Sequence, residues 1–221
     1  MPTKNIEKPR KKTLRERIYE EIVRLIVSGE LPSGEWVDER QVTDKLRVSR
    51  TPFREAISIL AKGGLVEIKP YRGFYVRSFS RDETADLYEL YKRLECFAVE
   101  LAVPQMSDRD IRWCETLLFE SVLALQHGDM KTYAMRDREF CEAIAQQSRN
   151  SALVDALAQF GLQVQLCGAI TSATVEFAER TAHGCDDIIQ AFRARDARRA
   201  AFLVRAHINS AQEIILASHP N

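Results

Sequence analysis

No stretch of this 221-residue chain stays apolar for the roughly 18–20 residues that a helix needs to cross a bilayer. The start, Met1 to Lys12, is polar and basic and lacks the apolar core of a secretory signal. Together these absences lead to the expectation of a cytoplasmic protein. Paired cysteines are missing too. The five present (Cys96, Cys114, Cys141, Cys167 and Cys185) are odd in number, widely spaced and never form CxxC, which argues against a disulfide framework and a zinc finger. Residues 80–221 contain no HExxH motif and no nucleophile–base pair, leaving a metal-dependent hydrolase as a remote alternative. Net charge is also absent, but only in the sum. Residues 1–78 hold 17 Lys and Arg against 11 Asp and Glu, and the remainder holds 15 against 21. A basic N-terminal part joined to an acidic C-terminal part predicts two domains, the first facing nucleic acid.

What is present fits that division. The apolar share of 45% and charged share of 29% are those of an ordinary globular protein. Residues 1–12 read as a basic flexible tail able to add phosphate contacts. Thr13-Leu14-Arg15-Glu16 is a capping box that opens a first helix, and Gly29 suits its left-handed end. Asp38 caps a second, short helix through Leu46. Arg47-Val48-Ser49 then connects to a third, in which Phe53, Ala56, Ile57 and Leu60 fall at i, i+3, i+4 and i+7. Pro52 belongs in its first turn, and Ser49 and Thr51 are both candidate caps. With its apolar face anchored, this helix offers Ser49, Arg50, Thr51 and Arg54 at an exposed N-terminus, where backbone donors and the helix dipole favour phosphate. Gly63-Gly64 ends it. Leu65–Ile68 and Gly73–Val76 are predicted strands around the turn Pro70-Tyr71-Arg72-Gly73, which places Arg72 near the tip of a wing.

After Ser80 the pattern is helical throughout. Ser80-Arg81-Asp82-Glu83 opens a long helix whose expected apolar stripe runs through Leu87, Leu90, Leu94, Phe97, Ala98 and Leu101. Further helices are expected from Ser107, Asp129, Asn150, Cys185 and Ala197, with His183-Gly184 as a break. The fold class is therefore mainly α: a winged helix-turn-helix of three helices plus a β-wing over residues 13–78, then an antiparallel bundle of six or more helices over 79–221.

Leu31-Pro32-Ser33-Gly34, Asp38-Glu39-Arg40-Gln41, Val48–Ala56, Gly63-Gly64-Leu65-Val66 and Arg72-Gly73, in this order, resemble the GntR family of bacterial transcription regulators. Tyr88-Glu89-Leu90, Leu94-Glu95, Asp137-Arg138-Glu139-Phe140, Asn150, Ile188 to Asp196 and Arg205-Ala206-His207 resemble the FadR-type effector domain, called FCD. The resemblance implies a homodimer on a palindromic operator of double-stranded DNA. Arg40, Ser49, Arg50, Thr51, Arg54, Arg72 and Gly73 would contact the DNA. It also implies a small-molecule effector, in the family commonly an organic acid, beside a divalent metal held by one Asp and three His. Those metal positions fall on Asp137, Cys141, Cys185 and His207, so cysteine stands twice where histidine is usual. Asp137 and Cys141, four residues apart, can be aimed at one point, and a set of two thiols, an imidazole and a carboxylate suits zinc. The alternatives are that the cysteines are small buried residues, or that the bound metal is itself the effector. His183 is a further ligand candidate. Tyr91 stands where the family often places the arginine that holds an acid; Tyr91 and Arg93 are the expected pocket residues, with Arg136 and Arg138 near by.

Overall fold

The computed structural model describes residues 13–169 and 184–219; the N-terminal tail and His183 lie outside them. Helix α1 (Leu14–Val27) starts in the expected capping box, Thr13 accepting from Glu16 and Glu16 reaching back to the Thr13 N–H. Helix α2 (Glu39–Leu46) is capped by Asp38, which accepts from the amides of Arg40 and Gln41. It ends at Arg47 in the left-handed conformation, and this turns the chain sharply into α3 (Arg50–Lys62). Ile18, Ile22 and Ile26 from α1 close with Phe53, Ala56, Ile57 and Leu60 from α3 into a buried core, on which Phe74 sits edge-on to Phe53 at 5.7 Å.

Strands β1 (Val66–Lys69) and β2 (Gly73–Val76) pair antiparallel, with Val66 opposite Val76 and Lys69 opposite Gly73. The first strand begins one residue later than its composition suggests, because the Leu65 amide is used to close the end of α3 onto Leu60. The Arg77 guanidinium lies 4.3 Å over the Phe79 ring and 3.1 Å from Glu83, which fastens the end of the wing to the first turn of α4 (Arg81–Ala102).

After a single 3₁₀ turn at Val103–Gln105 come α5 (Asp108–Gln126), α6 (Met130–Gln147) and α7 (Ser151–Ala169). Helices α8 (Cys185–Arg193) and α9 (Ala197–Ser218) close the bundle. Ser80, Ser107, Asp129, Asn150 and Asp196 all accept from the first turns that follow them, so the punctuation read from the sequence survives folding. α4 packs against α6, α7 and α9, while α5 packs on α6 and α8, where Phe140 and Phe192 stack at 6.3 Å.

The stripe expected on α4 is corrected. Leu90 and Phe97 are 44% and 46% exposed, whereas Tyr88, Tyr91, Lys92 and Glu95 are buried. Contact on three sides brings into the core the polar and aromatic positions that a leucine-only stripe leaves out. Among the described residues no helix is long and apolar enough to cross a membrane.

The N-terminal helices and the bundle meet directly. Gln163 of α7 donates to the Gly63 carbonyl at 2.9 Å, and α1 also packs on α7. Gly64 sits beside this contact at φ +72°, and a Cβ there would lie 2.8 Å from Gln163 Nε2. The amide end of Gln163 can swing aside, but the left-handed backbone cannot change. Gly64→Ala should therefore cost about 1–3 kcal/mol in denaturant unfolding.

Candidate functional site

Two sites are built on this frame. The first is the start of α3. Its N-cap, Ser49, makes no side-chain cap bond, which leaves its hydroxyl available together with those first-turn amides that lack a helical partner. Ser49, Arg50, Thr51 and Arg54 are all exposed, and the first turn carries no acid. Glu39, on α2, lies 3.5 Å from Arg50 Nε and 3.9 Å from Arg54 Nη2. Both arginines are largely in solvent, so these pairs are weak, under about 1 kcal/mol each, and orient the guanidiniums without locking them. Arg40 is exposed on the same helix as Glu39.

On the wing, Arg72 is exposed and Gly73 has a steric role: at φ +103° its Cβ position is 2.9 Å from Trp36 Nε1, so only glycine fits. Sequence reasoning missed Tyr71. It stands fully exposed at φ +61° on the wing tip, and no periodicity marks a single residue in a turn.

The second site is a cavity of about 320 Å³ in the bundle. α4 contributes Tyr88, Tyr91 and Glu95, α6 contributes Tyr133, Asp137 and Cys141, and α9 contributes His207. Gly161 of α7 faces Tyr91, and the rest of the wall is mostly aliphatic. Val27, Ser28 and Gly29 at the end of α1 also line it, so part of the cavity wall belongs to the DNA-side helices.

Of the expected site residues, Tyr91, Asp137, Cys141 and His207 meet here. Cys185 and Arg93 do not: Cys185 is buried at the start of α8 off the cavity lining, and Arg93 is exposed on the outer face of α4. Glu95, only 1% exposed, was overlooked as a pocket residue. Its signal was the spacing Tyr88, Tyr91, Glu95, at i, i+3 and i+7, which puts a carboxyl on a buried helix face.

Burial governs the protonation of these groups. Glu95 is pushed up to about 7, first by burial, opposed by the Tyr91 hydroxyl and Cys141 thiol, with the Asp137 charge adding to the rise. Asp137 is raised to about 6 by burial. The Cys141 thiol is held well above its usual range, and Cys185 is pushed up to about 12, both mainly by burial. Among the described residues no three His, Cys, Asp or Glu group closely enough to hold a metal ion. The expected set of Asp137, Cys141, Cys185 and His207 is thus corrected. The residues present do not fit the metal.

A winged helix-turn-helix with an arginine-bearing recognition helix, joined to a helical domain with a mainly apolar cavity that holds two carboxyls, defines a DNA-binding regulator of the two-domain kind. Residues 14–76 match the family described as "Bacterial regulatory proteins, gntR family" and residues 86–210 match the FCD domain. The chain belongs to the GntR family of bacterial transcription regulators and carries an FCD domain. It is 26% identical over 194 residues to the HTH-type transcriptional regulator YdhC of Bacillus subtilis (strain 168), covering 87% of each chain. With the Nta operon transcriptional regulator of Aminobacter aminovorans it shares 32% identity over 132 residues, 59% of this chain and 61% of that one. In fold it is similar to the E. coli McbR/YncC structure, with a TM-score of 0.84 at 20% identity, over 95% of this chain and 100% of that one.

Two outcomes test the cavity chemistry. Elemental analysis of protein purified with zinc present should find far less than one metal per chain. For Glu95, the native state keeps a proton up to about 7 that the unfolded chain gives up from about 4.5. Native protein therefore binds the extra proton in that window, and this contribution to stability falls as pH rises through it. The melting temperature of Glu95→Gln relative to the parent should rise by several degrees between about pH 5 and about pH 8.

Proposed function

We propose that this regulator binds a palindromic operator as a homodimer, through α3 and the wing, and that occupancy of the bundle cavity controls that binding. The observation that supports this most is the shared wall: Val27 to Gly29 of α1 line the same cavity as Glu95, Asp137 and His207. A ligand seated there touches the end of a helix that packs on α3, so its contacts differ with the placement of the winged helix. The division of labour follows the sequence reading, with residues 13–78 for DNA, 79–221 for effector and pairing, and 1–12 as a basic arm. The site of action is the cytoplasm, where the operator is.

Arg50 and Arg54 take base edges or phosphates, Ser49 and Thr51 take phosphate, Arg40 adds a flanking contact, and Arg72 reaches from the wing, with Tyr71 beside it. Pairing is supported by Phe119 and Leu123, exposed apolar residues four positions apart on α5 that a lone chain leaves in water. No metal takes part in this reading. A free organic acid is also disfavoured as effector, since Arg138, the one Lys or Arg on the cavity lining among the described residues, lies 3.2 Å from Glu142.

Arg50→Ala should weaken binding to a duplex selected from a random library by about 1–3 kcal/mol and lower the slope of log affinity against log salt by about one. Unchanged affinity and slope would show that α3 does not read the DNA.

A further inference from the structure

We propose that the bundle cavity is a receptor site for a small organic cation, an ammonium group on an apolar body. This rests on the cavity being the effector site. Glu95 lines the cavity and is almost wholly buried; the Tyr91 hydroxyl and Cys141 thiol bond to its carboxyl, but among the described residues its Oε1 has no hydrogen-bond partner. A buried acceptor left open costs stability unless something fills it, and the cavity is what it faces.

The groups around it select the filler. Asp137 is a second carboxyl on the lining, so a ligand anion would meet two acids, while an ammonium would meet two acceptors. Tyr88, Tyr91 and Tyr133 bring aromatic rings to the same cavity, and ring faces attract alkylammonium groups. Among the described residues, Arg138 is the one Lys or Arg on the lining, and it pairs with Glu142 at 3.2 Å rather than with Glu95 or Asp137. The Lys92 ammonium is buried near by but is held by Glu89, Asn209 and Gln212, and Lys92 is not on the lining. Ile144, Val164, Ile188 and Ile215 supply an aliphatic remainder suited to a hydrocarbon body, and the volume is at the small end of ligand pockets.

The test is calorimetry and thermal shift on the full chain with 2-phenylethylamine, its neutral match 2-phenylethanol and its acid match 3-phenylpropionate, each with and without EDTA. The amine should bind and raise the melting temperature, EDTA should change nothing, and the alcohol and acid should bind far more weakly. Glu95→Gln and Asp137→Asn, checked for folding by circular dichroism, should each bind the amine about 10- to 100-fold more weakly. The proposal is overturned by no binding of the amine, equal binding of the alcohol, preferential binding of the acid, or amine affinity unchanged in both variants. A stabilisation by zinc alone that EDTA removes would overturn it in favour of a metal site. If the acid binds and shifts affinity for the selected duplex, the effector-site reading stands and only the cation fails. If ligands occupy the cavity and duplex affinity never moves, the regulatory reading itself fails.

Discussion

The bundle is arranged around α4, a helix covered on three sides whose polar side chains must find partners inside the protein. Burying such a group without a partner is expensive, so each one either ties α4 to a neighbour or faces the cavity. Lys92 ties: its ammonium reaches Asn209 and Gln212 on α9. Thr84 donates to the Cys167 thiol on α7. One turn beyond Tyr91, Glu95 finds no such tie for Oε1 and faces the cavity instead. The same packing demand that holds the bundle together therefore leaves one carboxyl open, and that opening defines the chemistry of the cavity.

The second constraint is the seam between the DNA-side helices and the bundle. α7 carries Gly161 against Tyr91 on the cavity side and, two residues later, Gln163 donating to the last turn of α3. The end of α1 lines the cavity from the opposite part of the seam. The cavity wall and the end of α3 are thus joined through packed side chains, the kind of contiguous contact that coupling requires. No long lever is needed, because the cavity and α3 are neighbours of the same helix.

Much of the architecture could be read directly from residue order. Thr13, Asp38, Ser80, Ser107, Asp129 and Asn150 mark helix starts through local hydrogen bonds that depend on the next few residues and little else. The reading face of α3 was legible for a similar reason: an apolar i, i+3, i+4, i+7 pattern leaves its arginines nowhere to go but outward. The cavity was less so. Leu90 and Phe97 looked like core by type and are exposed, and Glu95 looked like surface by type and is buried, since helix neighbours from distant sequence decide which face is covered.

By itself, the sequence determined where helices begin and end, that a wing follows the third, and which arginines face outward, because caps, turns and periodicity act over a few residues. Only the tertiary structure decided which of the polar residues share a cavity. It left Cys185 and Arg93 off the cavity lining that Asp137, Cys141 and His207 share, and it brought in Glu95 with three tyrosines. Side-chain reach and helix rotation set that grouping, and both depend on packing between elements up to a hundred residues apart.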